Sequence, residues 1–161
     1  MRLAAIRRRR GFTLIELITA LAILALLASV AMPFADMAIQ RKKEDELRHS
    51  LRVIRDAIDE YFRATQDGRI QRTMGSNGYP KTLQVLVDGV EDQQSPTKSR
   101  IYFLRRIPHD PFAPKEENAE ASWGKRSYAS SADEPREGED VYDVYSRSEK
   151  VGLNGIPYRQ W

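Results

Sequence analysis

A run of four arginines, Arg7 to Arg10, stops at Gly11 and is followed by an apolar segment that extends from Phe12 to Phe34. This segment contains a single charged residue, Glu16. At about 1.5 Å of helical rise per residue, it is long enough to cross a bilayer core about 30 Å thick. A charge inside the bilayer costs roughly 2.5 kcal/mol or more, so the presence of Glu16 calls for a specific reason. The sequence therefore predicts a membrane helix that carries one functionally placed carboxylate.

Two interpretations of this N-terminal region follow from the residues themselves. An ordinary signal anchor has a basic start, an apolar core and a carboxylate close enough to the interface to stay hydrated. Alternatively, the chain is cut after Gly11, which creates an amine at Phe12 one helical turn from Glu16. A cleaved secretory signal fits less well, because its apolar core is usually about 7–15 residues long and precedes the cleavage site.

The hexapeptide Gly11-Phe12-Thr13-Leu14-Ile15-Glu16, followed by an apolar helix, resembles the class III signal of type IV pilins and type II secretion pseudopilins. The resemblance implies that a prepilin peptidase cuts between Gly11 and Phe12 and N-methylates Phe12. It also implies that Glu16 is required for the assembly of subunits into a helical filament.

The composition limits the remaining functions. Five of the 26 basic residues lie in residues 1–11, and without them the 23 acidic residues outnumber the bases by two. The basic pI of the whole chain is thus a property of the leader and gives no reason to expect nucleic acid as a partner. Because positive flanks stay in the cytoplasm, the part of the chain after the helix is expected in the periplasm. The chain has no cysteine, so neither disulfides nor thiol chemistry is expected.

The chain divides into four predicted segments. Residues 1–11 are the cleaved leader, residues 12–34 the transmembrane and assembly helix, residues 35–65 its amphipathic continuation, and residues 66–161 a periplasmic globular domain. Pro33 is expected to kink the helix, because proline lacks a backbone donor. In the amphipathic continuation the apolar side chains recur at three- and four-residue spacing and predict a core-facing stripe: Leu47, Leu51, Ile54, Ile58 and Tyr61 or Phe62.

The charges on the other faces of this helix are expected to be solvated and to form pairs along it: Glu44–Arg48, Arg52–Asp56 and Arg55–Asp59. Gly68 is the expected terminator. Thr82 is expected to cap a short helix over 82–88, residues 89–100 to form a mobile polar connection, and 123–129 and 141–146 to form strands. The fold class is α+β: a long N-terminal helix packed on a small C-terminal antiparallel sheet domain.

Motifs in the globular domain make the resemblance more specific. Gly78-Tyr79-Pro80, the segment from Leu104 to Phe112, the strand around Tyr142 and the terminal Trp161 are similar to the major pseudopilin, the G subunit, of type II secretion. Major type IV pilins commonly carry a C-terminal disulfide loop, which this chain cannot form. The resemblance implies a subunit that polymerises into a pseudopilus and helps to push folded exoproteins across the outer membrane.

The resemblance also implies partners and a location. The expected partners are other copies of the chain, minor pseudopilins, the prepilin peptidase, the inner-membrane assembly platform with its ATPase complex, and membrane lipid. The expected location is the bacterial inner membrane, with a single pass and a cytoplasmic N-terminus, and the periplasmic pseudopilus after assembly. The alternatives are a type IV pilin of a surface filament and a signal-anchored periplasmic binding domain.

The loop after the last predicted strand is the candidate position for a metal site. The major pseudopilins that the chain resembles bind calcium in the loop after the last long strand, and calcium prefers six to eight oxygen ligands. The corresponding loop has one carboxylate, Glu149, so no cofactor is expected, with Ser146, Ser148 and Asn154 as weak calcium candidates. No catalytic constellation is recognisable, so an enzyme is not expected. Asp110, between Pro108 and Pro111, is expected to accept backbone hydrogen bonds rather than to act as an acid.

Overall fold

The computed structural model describes residues 11–161, and of residues 30–33 it describes the backbone alone. The chain divides into two compact units, residues 1–39 and residues 40–161, and the first helix belongs to both. The leader residues before Gly11 lie outside the described part of the chain.

The helix α1 extends over Leu14–Gln66, a total of 53 residues. It continues through Pro33, so the proline does not end the helix, and the kink expected there stays a prediction. Among the described residues, α1 is the one helix long and apolar enough to cross a membrane. The predicted long N-terminal helix is therefore confirmed.

The end of α1 shows why it stops where it does. Gly68 adopts a left-handed φ of 72°, and its N–H bonds to the carbonyl of Thr65 at 3.2 Å. The N–H of Arg69 bonds to the carbonyl of Ala64 at 2.9 Å. These two bonds are a Schellman motif, which satisfies carbonyl groups that the last helical turn leaves without partners. The prediction that Gly68 terminates the helix is confirmed.

The remaining elements are short. The helix α2 is Gln84–Asp88, and two antiparallel pairs follow it, formed by β1 (Val90–Glu91) with β2 (Arg100–Ile101) and by β3 (Trp123–Arg126) with β4 (Asp143–Ser146). In the second pair Trp123 is opposite Ser146, and Arg126 is opposite Asp143. A 3₁₀ turn occupies Tyr158–Gln160. A long helix with small antiparallel sheets is the α+β pilin-like architecture that the sequence predicts.

Two local predictions were wrong. The helix α2 begins two residues later than expected, and Thr82 does not cap it; the N–H of Leu83 instead donates to Oε1 of Glu120 at 3.2 Å. The segment 89–100, expected to be a mobile connection, contributes to the β1–β2 hairpin. Here the N–H of Asp92 bonds to the carbonyl of Ser99 at 2.9 Å. Pairing across a turn thus gives this polar segment ordered structure that its composition did not indicate.

The core of the second unit forms where α1 faces the strands. All four aliphatic residues of the predicted stripe are buried, which confirms it, whereas Tyr61 and Phe62 are only partly buried. Trp123 anchors the opposite side of the core, and its indole N–H donates to the carbonyl of Pro108 at 2.8 Å. Burial of such large side chains stabilises the unit by about 1.5–3 kcal/mol each. The core contains these residues: Leu47, Leu51, Ile54, Ala57, Ile58, Leu83, Leu86, Leu104, Trp123, Val141, Val144 and Tyr158.

An ion pair connects the end of α1 to the first hairpin. The guanidinium of Arg69 donates to Oδ2 of Asp92 at 2.7 and 3.1 Å. The N–H of Gln93 also donates to the carbonyl of Arg69 at 2.7 Å. The hydrogen bonds from Arg69 hold the pKa of Asp92 below its ordinary value, so the pair fixes β1 to the residues that follow α1.

This arrangement predicts an acid-sensitive hairpin. Because the pKa of Asp92 is lowered in the folded state, the pair contributes stability above the ordinary aspartate pKa of about 3.9. That contribution is lost as the pH falls through the lowered value. Asp92→Asn should therefore reduce stability at neutral pH and remove part of the acid dependence of thermal unfolding. Asp133→Asn, at an exposed aspartate, is the control, and equal pH profiles for both variants would contradict the prediction.

Candidate processing and assembly site

The predicted cleavage site lies in non-helical backbone just before α1. Residues 11–13 precede the first helical residue, Leu14, and both Gly11 and Phe12 are exposed. A side chain added at Gly11 would contact nothing within 4 Å in this structure. The peptide bond between Gly11 and Phe12 therefore lies outside α1, and both residues that it joins are exposed.

Thr13 and Glu16 form a reciprocal capping box at the start of α1. The N–H of Glu16 donates to Oγ1 of Thr13 at 3.3 Å, and the N–H of Thr13 donates to Oε2 of Glu16 at 3.4 Å. Each side chain thereby satisfies a backbone donor that the first helical turn leaves without a partner. Glu16 also lies at the helix N-terminus, where the helix dipole favours a negative charge. The structure thus gives Glu16 a local role in starting α1 that the sequence analysis did not assign.

The capping box leaves Glu16 able to bind a second donor. A carboxylate has two oxygens and about four acceptor positions, and the contact with Thr13 uses one of them. After cleavage the amine of Phe12 would be adjacent to Thr13 in the chain. The same carboxylate can therefore cap its own helix and accept a hydrogen bond from an ammonium group.

The apolar surface around this site is exposed. Phe12 is 86% exposed and Leu14 is 75% exposed. The hydroxyl groups of Thr19 and Ser29 are satisfied within the helix, because Thr19 donates to the carbonyl of Ile15 and Ser29 donates to that of Leu26, both at 2.7 Å. A surface of this kind needs lipid or another apolar helix to cover it. The exposed aliphatic side chains are these: Leu14, Ile15, Leu17, Ile18, Leu21, Ile23, Leu24, Leu26 and Leu27.

The charges of the second unit do not form the pairs that the sequence suggested. Between residues 41 and 60, the one ion pair within the helix joins Arg48 to Asp45, at 3.6 Å. Arg55 binds Oδ1 of Asp143 in β4 at 2.7 Å instead of Asp59. Glu44, expected on a solvated face, is 4% exposed. Arg55 and Glu44 therefore bind residues elsewhere in the unit, and not the oppositely charged residues one turn along α1. In this way they hold α1 to the rest of the unit.

The three weak calcium candidates are committed to other contacts. Ser146 is fully buried, and its hydroxyl donates to Oδ2 of Asp110 at 2.6 Å. Oδ1 of Asn154 accepts the N–H of Ile156 at 3.0 Å, and Oγ of Ser148 accepts that of Lys150 at 3.4 Å. Glu149, the one carboxylate of the loop, is exposed.

These contacts do not fit a calcium site. In the described residues 11–161, no three carboxylate, histidine or cysteine side chains come together as metal ligands. No buried side-chain oxygen or nitrogen within this range lacks a hydrogen-bond partner. Calcium prefers six to eight oxygens, including carboxylates, and this loop does not present them.

Asp110 makes the kind of hydrogen bond that the sequence predicted. It is 1% exposed, and its Oδ1 accepts the N–H of Phe112 at 2.8 Å, which confirms the expected backbone contact. Its other oxygen binds Ser146. The carboxylate therefore connects the proline-rich segment to β4.

Comparison with known proteins gives two kinds of match. The family model "Prokaryotic N-terminal methylation motif" matches residues 6–32. The type II secretion system core protein G of Dickeya chrysanthemi is 29% identical over 112 residues, covering 66% of this chain and 65% of that protein. The protein of the same name from Aeromonas hydrophila is 28% identical over 112 residues, covering 66% of this chain and 69% of that protein. The match thus spans just under two thirds of the Dickeya protein, and no solved structure matches.

Residues 6–32 match the methylation motif, and the exposed apolar helix with small antiparallel sheets is a pilin-like architecture. The two relatives named core protein G support a major pseudopilin. They favour it over the surface-filament pilin considered from the sequence.

Proposed function

We propose that the chain is the structural subunit of a type II secretion pseudopilus. The observation that carries the proposal is the combination of the methylation motif over residues 6–32 with the likeness of most of the chain to core protein G. The role is structural, and the proposed partners are other copies of the chain and minor pseudopilins.

The first proposed step is processing. The leader stays in the cytoplasm and the apolar segment of residues 12–34 enters the inner membrane, which leaves the following part of the chain, with the globular domain of residues 66–161, on the periplasmic side. A prepilin peptidase cuts between Gly11 and Phe12 and N-methylates Phe12. The exposed, non-helical backbone at these residues supports this order of events.

The second proposed step is assembly. The assembly platform and its ATPase complex extract subunits from the membrane, and the apolar halves of neighbouring α1 helices replace lipid around one another. Glu16 of the incoming subunit accepts a hydrogen bond from the Phe12 amine of its neighbour. Burying the Glu16 carboxylate without a partner among the packed helices would cost free energy. The contact therefore favours one relative position of neighbouring helices along the filament axis. The growing filament then pushes folded exoproteins through the outer membrane.

A clean deletion in the native host tests this function. We expect several exoproteins to disappear from the culture supernatant while surface fibres are unchanged, and the wild-type gene to restore secretion. Proteins in the supernatant and filaments sheared from the cell surface would both be measured. Loss of surface fibres with intact secretion would contradict the proposal and support a type IV pilin.

A further inference from the structure

The segment between β4 and the 3₁₀ turn, residues 147–157, is called the C-terminal loop here. Val151 and Pro157 form an antiparallel bridge across its base. The N–H of Gly152 donates to the carbonyl of Ile156 at 2.9 Å, and the N–H of Tyr158 donates to that of Lys150 at 3.1 Å. The loop therefore closes on itself through its own backbone.

A carboxylate of α1, that of Glu44, is the central acceptor that holds this closed loop to the rest of the unit. Two weaker or more exposed contacts accompany it: Nε2 of Gln40 donates to the carbonyl of Val151 at 3.4 Å, and Nη1 of Arg147 donates to Oε1 of Glu117 at 3.0 Å and to the carbonyl of Ala121 at 2.9 Å. Oε1 of Glu44 accepts the N–H of Leu153 at 2.8 Å and the hydroxyl of Tyr158 at 2.9 Å. It also accepts the side-chain amide of Gln40 at 3.2 Å. Glu44 is 4% exposed and Tyr158 is fully buried. Hydrogen bonds to a buried carboxylate are about twice as strong as those between neutral groups.

The last residue of the chain, Trp161, packs against the same loop. The rings of Trp161 and Tyr158 meet edge-on, with their centroids 5.0 Å apart. The indole N–H of Trp161 donates to the carbonyl of Ile156 at 3.2 Å. A methyl group at Gly152 would lie 2.6 Å from the Trp161 ring. This close approach fixes the loop against the aromatic side chains that Glu44 helps to position.

We propose that Glu44 anchors the C-terminal loop in place of a bound cation, so that the loop keeps its structure without calcium. In a calcium-dependent loop, several oxygens converge on one cation. Here the arrangement is reversed, because backbone and side-chain donors converge on one anion. The oxygens that could bind calcium explain the difference. Those of Ser146 and Asn154 are already hydrogen-bonded to Asp110 and Ile156, and the carboxylate of Glu149 is exposed.

The test uses the full-length protein in detergent. Amide hydrogen exchange of peptides covering the C-terminal loop, and thermal unfolding, are measured with excess calcium chloride and with EDTA. We expect the same Tm and the same loop protection in both conditions. A higher Tm or slower loop exchange with calcium would overturn the proposal.

Substitutions test the anchor directly. Glu44→Gln keeps the size of the side chain and removes its charge, and we expect loop exchange to accelerate about tenfold or more and the Tm to fall. Glu46→Gln, at an exposed glutamate on the same helix, is the matched control and should change neither the exchange rate of the loop nor the Tm. Unchanged loop protection in Glu44→Gln would overturn the proposal.

Two further variants keep the test decisive if Glu44→Gln folds poorly. Tyr158→Phe removes one donor to Glu44 and keeps the aromatic ring, so it should accelerate loop exchange. Glu149→Ala removes the only carboxylate of the loop and should have no effect in either calcium or EDTA, whereas a calcium-dependent loss of protection would overturn the proposal. All of these measurements concern the loop, so they can succeed or fail independently of the secretion function.

Discussion

The variant Glu16→Gln should be cleaved after Gly11 but should fail to form filaments. Glutamine can replace glutamate in a capping box, so the contact with Thr13 is preserved. The negative charge, however, is lost, and the amine of Phe12 in a neighbouring subunit would be buried without a counter-charge. Removing one partner of a buried ion pair costs about 3–5 kcal/mol, and every subunit contact in the filament would bear that cost.

The capping box supplies the matched control for this prediction. Thr13→Val removes the hydroxyl that accepts the N–H of Glu16, which should weaken the start of α1 by about 1 kcal/mol and leave the charge of Glu16 intact. We expect this variant to assemble. Cleavage is measured by mass spectrometry and assembly by cross-linking and electron microscopy. Normal filaments from Glu16→Gln would show that helix capping, and not charge pairing, is the contribution of Glu16.

The variant Gly11→Val should accumulate as the uncleaved precursor. The structure gives no internal reason for glycine at this position, because a side chain there would contact nothing within 4 Å. In the proposed processing, the requirement for glycine comes from the peptidase, whose active site has to accept the residue before the cut bond. The expected result is a complete loss of mature subunits and of filaments.

Folding of this variant should be unaffected. Membrane insertion and the thermal stability of the purified precursor are expected to equal those of the wild type. Gly75→Ala is a useful comparison, because that glycine also has open space around it but has a positive φ of 85°. It should lower stability slightly and leave cleavage intact. Efficient cleavage of Gly11→Val would contradict the proposed processing site.

The sequence predicted the parts of the fold that depend on neighbours along the chain. The stripe from Leu47 to Ile58 follows directly from helical periodicity, and Gly68 follows from the backbone conformation that ends a helix. Both are confirmed by the structure. The capping box could also have been predicted, because Thr13 and Glu16 have the required spacing.

The contacts that depend on distant residues were not predictable in this way. Glu44 resembles its charged neighbours in sequence, and only the docking of residues more than a hundred positions away makes it a buried acceptor. Arg55 likewise has an acidic residue one turn along α1 but binds Asp143 in β4. An ion pair on a helix surface is worth only a few tenths of a kcal/mol, so tertiary partners readily replace it.

The short strands in residues 11–161 have a consequence for the proposed assembly, in which subunits come together at high local concentration. Each strand contains only two or four residues. An exposed strand edge is a template onto which another chain can add a strand, and short edges limit this pairing. In the proposed pseudopilus, crowded subunits would therefore have little strand edge through which to aggregate, and association would fall to their helices.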